Sequence, residues 1–308
     1  MTTSFGIIII GDEILSGKRA DKHLPKVIEL LHARGLALSY ADYVGDDPAR
    51  IKATLARAFA AARVSGDVVF SCGGIGATPD DHTRQCAAAA WGTELALHPE
   101  AKILITSRMQ DVAQEQGVAF DPDRPDNVHR LDMGLFPVGA QIIPNPYNKI
   151  PGFSCFAARE ISPAQQGPRD GLSQSAGAAA PSGGSDPHAV GERGGLHFLP
   201  GFPVMAWPMI EWVLDTHYSH LHQTSAYVEK SIIVFGSMEA TLTPLMLDIE
   251  ATHPGVKVFS LPSVDHATYG RHIELGVKGA PDAVALAYPA MLNGLGAFDF
   301  KLGPELVR

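Results

Sequence analysis

Residues 67–83 read Asp67-Val68-Val69-Phe70-Ser71-Cys72-Gly73-Gly74-Ile75-Gly76-Ala77-Thr78-Pro79-Asp80-Asp81-His82-Thr83, and the fold turns on them. The run Asp67–Cys72 is mostly apolar and predicts a strand. It leads directly into three closely spaced glycines, which allow a tight turn and a close approach of backbone to ligand. A helix is expected to begin near Asp80 and to continue through Ala87–Ala90. Its start would aim free amides and a partial positive charge at the loop, and phosphate oxygens suit such a place. Asp80 and Asp81 repel phosphate directly. They can hold a divalent metal that bridges to it, or accept hydrogen bonds from a ligand's hydroxyl or ring groups. Read by composition alone, the segment is equally a glycine turn with an aspartate cap.

Toward the N-terminus the pattern builds a sheet. Residues 5–10 are a short apolar, β-branched run, as in a central parallel strand. Leu24, Val27, Ile28 and Leu31 share one helical face within 21–34, and Gly35 is placed to stop that helix. Residues 36–44 read as a second strand. Asp47-Pro48 opens another helix, with Asp47 as N-cap, Pro48 in the first position, and Ile51, Leu55, Phe59 and Ala62 as the apolar face. The βαβαβ order predicts a mostly parallel sheet with helices on both faces, and ligands of such sheets sit at the carboxyl ends of the strands.

Toward the C-terminus, residues 99–116 look helical. Residues 117–157 read as loops and hairpins, with short apolar runs at Gln141–Ile143 and Phe153–Phe156. Residues 163–194 are dominated by Gly, Ser, Ala, Pro and Gln, and predict a flexible insertion that cannot bury enough surface to fold alone. The apolar pattern resumes at Leu196–Leu199, turns at Pro200-Gly201-Phe202-Pro203, and continues as a helix over 205–221. A second unit follows, with strands at Tyr227–Phe235, Val256–Leu261 and Gly270–Val277. Its helices are expected over 238–251, with Leu242, Leu245, Met246 and Ile249 on one face, and over 281–293. This β-α-β-β-α order predicts a small α+β sandwich. The expected division is 1–222 for the α/β domain and 223–308 for the smaller one.

The bulk numbers narrow the function. The chain has 308 residues, of which 45% are hydrophobic and 19% charged, an ordinary globular profile. With 24 basic against 33 acidic residues and a net charge of −9, it gains no general attraction to nucleic acid, and no such partner is expected. An anionic ligand would need local devices. Cys72, Cys86 and Cys155 match no zinc spacing and form a poor disulfide set, so buried reduced thiols in a cytoplasmic protein are expected. The first residues lack a basic region and a long apolar run, so neither a signal peptide nor a membrane partner is expected. His217, His220 and His222 put only two rings on one helical face, too few for a metal, and read as solvated or interface histidines.

Three further constellations lie at predicted strand ends or turns. Gly11-Asp12-Glu13-Ile14-Leu15-Ser16-Gly17 ends the first strand, where its carboxylates can coordinate a metal, orient a hydroxyl, or simply form a solvated turn. Val44-Gly45-Asp46-Asp47-Pro48 ends the second. There Asp47 has a structural task as cap, which leaves Asp46 as the functional candidate. Asn145-Pro146-Tyr147-Asn148-Lys149-Ile150-Pro151-Gly152-Phe153 and Leu199-Pro200-Gly201-Phe202-Pro203 are Pro-Gly turns whose amides can meet a ligand, with Lys149 as the nearest cation.

Taken in order, GDEILSG (11–17), VGDD (44–47), GGIGATPDDHT (73–83), PDN (125–127), NP (145–146), PGF (151–153) and LPGFP (199–203) resemble the molybdopterin-binding domain family of the MoaB and Mog type. Within it they are similar to the CinA amino-terminal branch, across residues 5–220. Residues 225–295 resemble the small α+β domain that follows in that branch. The carboxy-terminal amidohydrolase domain of full-length members has no counterpart in these 308 residues.

The resemblance implies a three-layer α/β/α fold. It implies a small phosphorylated pterin or nucleotide as partner, with molybdopterin as a possible ligand, and a homo-oligomer, dimer or trimer. Relatives bind or adenylylate molybdopterin, or hydrolyse the pyrophosphate of ADP-ribose or FAD-like dinucleotides with a divalent metal such as Mg, Mn or Co. The acidic positions of the adenylylating relatives fall on Asp46 and Asp81, the expected catalytic pair, and the loop glycines on Gly73, Gly74 and Gly76. Thr78, Thr83, Asn145, Lys149, Pro200 and Gly201 complete the expected ligand site, and Asp80, Asp81 and Glu13 the expected metal site. The chain departs from the family at Ala20-Asp21-Lys22, at Asn148-Lys149 and in the 163–194 insertion. Pyrophosphate hydrolysis is the leading expectation. A pterin carrier without turnover and a degenerate regulatory module are the rivals.

Overall fold

The computed structural model describes residues 3–157, 194–222 and 228–307. The expected insertion, 163–194, lies outside the described residues except for Gly194. Contacts cluster into two compact units, Met1–His222 and Gln223–Arg308.

The first unit is built on a six-stranded sheet of β1 (Phe5–Ile10), β2 (Leu38–Val44), β3 (Val68–Cys72), β6 (Gln141–Ile143), β7 (Gly152–Phe156) and β8 (Gly195–Leu199), in the order β2-β1-β3-β8-β7-β6. The first four strands of that order are parallel. β7 runs antiparallel to β8, and β6 antiparallel to β7. All six residues of β1 are buried. Because side chains alternate along a strand, Ile8 and Ile10 join Val69 in one core, while Phe5, Ile7 and Ile9 join Val68 and Phe70 in another. The first core is closed by α3 (Pro48–Ser65), α4 (Thr83–Trp91) and α5 (Pro99–Glu115), and the second by α2 (His23–His32) and α7 (Pro203–His217). The result is a three-layer α/β/α unit. Phe136, Phe153 and Phe198 stack in series with centroids 4.6 and 4.5 Å apart. Truncating a buried ring of this kind costs about 3–5 kcal/mol.

The chain leaves β1 for the outer strand β2 and returns on the other side of β1 as β3. The crevice opened by such a reversal is where ligands of these sheets bind. Asp47 caps α3 through the Arg50 amide at 2.8 Å with Pro48 just inside, and Gly66 ends the helix in the left-handed region at φ 75°.

Several local expectations are corrected. Ile28 is 47% exposed, because the buried arc of α2 centres on Val27, Leu30 and Leu31, and Ile28 stands at its margin above the edge strand β2. Residues 12–15 form a one-turn helix, α1 (Asp12–Leu15), instead of an open turn. Within 117–157, read as loops and hairpins, α6 (Pro125–Leu131) is helical, with Pro125 at its first turn, and β5 (Leu135–Pro137) pairs with β4 (Leu95–Leu97), which lies before that stretch. α4 begins at Thr83, not near Asp80, because Asp81 and Thr83 are used to fold the loop before it. His217 is half-buried against Phe156 and Trp212, with ring centroids at 4.9 and 5.3 Å, so it is not a solvated residue.

The second unit runs β9 (Val228–Phe235), α8 (Glu239–Thr252), β10 (Lys257–His266), β11 (Gly270–Gly279), α9 (Pro281–Leu295), β12 (Lys301–Val307). Its antiparallel sheet has the order β10-β11-β9-β12, the βαββαβ ferredoxin-like arrangement. Leu242, Ile249, Val284 and Met291 of the helices pack on Ile232, Val234, Leu275 and Val277. β12 completes the β-α-β-β-α series and was not expected. Gly303-Pro304 interrupts its apolar pattern, which is tolerable only at a sheet edge, and the register shifts there between Leu302 and Glu305.

Candidate functional site

The loop after β3 is folded by its own side chains. Gly73 has φ 109°, and a Cβ there would stand 2.2 Å from the Ile10 carbonyl oxygen of β1. At Gly74, with φ 68°, a Cβ would meet Thr83 Oγ1 at 2.1 Å. Only glycine fits either place. The Thr83 hydroxyl donates to the Gly73 carbonyl at 3.1 Å, and the Thr83 amide donates to the Gly74 carbonyl at 3.0 Å. Asp81 turns back to accept from the Thr78 amide at 2.8 Å and the Thr78 hydroxyl at 2.6 Å. Beneath the loop, Arg84 is 5% exposed and donates from Nη1 to the Ile75 carbonyl at 2.7 Å. Burial holds its guanidinium below its usual pKa range, with Asp81 and Asp132 acting the other way. That positive charge lies behind a loop suited to anions, and sequence reasoning missed it.

The loop after β2 is held differently. The Gly11 amide donates to the Val44 carbonyl at 3.0 Å, which ties the ends of β1 and β2. Asp46 accepts from the Asp12 amide at 2.8 Å, and Asp12 accepts from the Asp46 amide at 3.2 Å. Two carboxylates are thereby clasped side by side. Desolvation raises the pKa of Asp46, and the negative charges of Asp12, Glu13 and Asp80 add to that, while the Asp12 amide partly offsets it.

These loops line one cavity of about 700 Å³ at the carboxyl edge of the sheet. Glu13, Asp46, Gly73, Gly74, Gly76, Thr78, Asp80, Asp81, Asn145, Pro200 and Gly201 all reach it. Thr83 and Lys149 are not among its lining residues. Thr83 is fully buried as the brace of the glycine turn. Lys149 adopts the left-handed region at φ 65°, and its ammonium meets Asp111 and Ser107 on α5. Asn145 spends its side chain on the Tyr147 amide, Asn148 and the Ile150 carbonyl, so it shapes its loop. The cations on the wall are Lys18 and Arg19. Two adjacent basic residues just after GDEILSG, in an acidic chain, were the available signal. Among the described residues, no group of three or more His, Cys, Asp or Glu side chains converges as a ready metal cage. Magnesium-type ions are commonly held by one or two carboxylates together with substrate phosphates and water, so the Asp46 clasp fits such an ion in type if not in number.

A mostly parallel sheet whose order reverses beside a glycine loop and clustered carboxylates places this protein in the α/β class whose ligands commonly sit at such a switch point. The chain belongs to the molybdopterin-binding family: the domain described as "Probable molybdopterin binding domain" matches residues 6–220. It is similar to a CinA-like protein of Mycobacterium tuberculosis, 26% identical over 282 residues, which cover 90% of this chain and 56% of that protein. A CinA-like protein of Mycobacterium marinum is 33% identical over 149 residues, covering 48% of this chain and 34% of the relative. The chain thus spans about half the length, or less, of these curated relatives, 56% and 34%. Among solved structures, the CinA protein of Thermoplasma acidophilum, of unknown function, aligns with TM-score 0.48 and 21% identity over 69% of this chain and 98% of its own. Among the described residues, no helix is long and apolar enough to cross a membrane.

Proposed function

We propose that this protein binds a phosphorylated pterin or nucleotide in the cavity and hydrolyses a pyrophosphate bond of the ADP-ribose or FAD type with a divalent metal. The observation that carries the reading is Asp46. It is a half-buried carboxylate, raised in pKa by desolvation and then by Asp12, Glu13 and Asp80, and it faces a loop suited to phosphate. Such crowding is costly in the empty protein and is relieved by a cation. Asp46, with Asp80 and Glu13 nearby, would hold the metal. When bound, the metal would supply charge neutralisation at phosphorus and an activated water. The amides of Gly74–Ala77 would hold the phosphates, and the Asp81–Thr78 bonds would keep that backbone in place. Lys18, on the cavity wall, would neutralise charge that the acidic loops cannot.

Asp46→Asn and Asp81→Asn, assayed against ADP-ribose and FAD with Mg²⁺, Mn²⁺ or Co²⁺, test the proposal. Asp46→Asn is expected to lower turnover by about 100-fold. Unchanged hydrolysis in both variants would remove the role given to these residues.

A second reading is a molybdopterin binder without turnover. It is favoured by the family description and by the commitment of Asp81 to Thr78, which leaves few carboxylates free for a metal. Binding of molybdopterin with no dinucleotide turnover under any metal would select it.

A further inference from the structure

One end of the cavity is unlike the rest. Phe202 lies in the turn before α7 and is 56% exposed, yet it is part of the cavity wall. Met205, in the first turn of α7, also lines the wall. An aromatic ring left in water loses the burial that ordinarily makes it worth having, and nothing in the local fold demands one here. The turn is fixed by backbone: the Phe202 carbonyl accepts from the Met205 and Ala206 amides at 3.0 and 2.9 Å, bonds that any residue could make. The Arg19 guanidinium stands 6.0 Å from the ring centroid, the outer limit of a cation–π contact. Arg19 has no acidic partner among the ion pairs of the described residues. An exposed ring, a thioether and an unpaired five-donor fork stand in the same cavity as the carboxylates and the glycine loop.

We infer that Phe202 and Arg19 form the ring-binding end of this cavity and set its preference for ring-bearing over ring-free phosphates. The inference rests on the phosphate-binding reading of the loop. The ring lies against the face of Phe202, where dispersion and the exclusion of water favour any flat π system. Arg19 donates to the acceptor edge that pterins and purines both present. Phe202 and Arg19 are selectivity residues in this scheme, and neither takes part in the bond-breaking step. A ring-free sugar phosphate would use only the loop end and bind more weakly.

The test is calorimetric titration of the full chain, with Mn²⁺ present, against AMP, a phosphorylated pterin, and ribose 5-phosphate, which keeps the sugar phosphate of AMP with a hydroxyl in place of the adenine. The wild type is expected to bind one or both ring-bearing probes at least about 10-fold more tightly than ribose 5-phosphate. Phe202→Ala is expected to abolish that difference and leave ribose 5-phosphate unchanged, while Phe202→Trp keeps it. The side chain is exposed, so the variants should fold, and equal melting temperatures would verify it. AMP against the pterin tells which ring source is preferred. If Phe202→Ala weakens all three probes alike, or none of them, the ring-binding end is refuted while the loop reading stands. If ribose 5-phosphate binds as tightly as the others, the inference fails in the same way. If the wild type binds none of the three, the loop reading fails with it.

Discussion

The loop after β2 and the loop after β3 each bring an aspartate to the same cavity, but they hold it in opposite ways. Asp81 is spent: both of its contacts go to Thr78, and its charge lies close to the buried Arg84 guanidinium. Asp46 is crowded: one amide bond from Asp12 is set against desolvation and three neighbouring carboxylates. A charge satisfied within the fold contributes to stability, whereas one strained by like charges is a local cost that a bound cation would offset. The contrast gives the two residues different work. Asp81 shapes the glycine loop, and Asp46 is the less satisfied carboxylate, to which the proposed metal is assigned.

The comparison can be broken first at the loop's foundation. Gly73→Ala would drive a Cβ to 2.2 Å from the Ile10 carbonyl at φ 109° and is expected to cost about 3–4 kcal/mol in urea unfolding. Gly17→Ala, at φ 73° with nothing within 4 Å, is the control and should cost about 1 kcal/mol. Similar losses at both would mean that the glycine turn is not tightly built.

Acid is the next probe, and its background must be separated. His197 is fully buried between Ser154 and Tyr218, each at 2.8 Å, and burial depresses its pKa from 6.5 to about 3. The unfolded chain therefore takes up a proton that the folded chain refuses. Stability from this residue is intact above 6.5 and is lost as pH falls from there toward 3. Between pH 7.5 and pH 5 the loss is expected to be about 2 kcal/mol, and His197→Gln should flatten that limb. An unchanged slope in His197→Gln would assign the acid sensitivity elsewhere.

The two aspartates themselves should then differ in sign. Asp81→Ala removes two hydrogen bonds to a charged acceptor and should cost about 1–2 kcal/mol. For Asp46 the folded pKa is raised, so its favourable contribution is present at low pH and is lost as pH rises through that pKa. At neutral pH its charge is a burden, and Asp46→Asn, which keeps an acceptor for the Asp12 amide, should leave the ligand-free melting temperature unchanged or raise it by about 1–3 °C. A marked fall would contradict the crowding.

Much of this was legible in the sequence, and the misses have physical causes. The strands of the parallel core were readable because burial on both faces leaves uninterrupted apolar runs such as Phe5–Ile10 and Val68–Cys72. The cap at Asp47 was readable because capping is local. β12 was not, since its strand character comes from pairing with β9 and its own residues argue against it. In the site, glycine spacing marked the loop, but spacing is silent on where a side chain is spent. Thr83 and Lys149 looked like ligand contacts and instead brace the turn and pair with Asp111. Arg84, Lys18, Arg19 and Phe202 gained meaning only when the sheet placed them beneath or around one cavity.

The central claim, that Asp46 waits for a metal carried in with a phosphorylated ligand, is tested most directly by one thermal-shift series. Wild type and Asp46→Asn are melted with ADP-ribose, with Mn²⁺, and with both, since a ligand that binds only the folded state must raise its melting temperature. The account predicts that the wild type gains most with both together and that Asp46→Asn loses the metal-dependent part of the gain. Equal metal-dependent shifts in the two proteins, or no shift in the wild type under any combination, would contradict it.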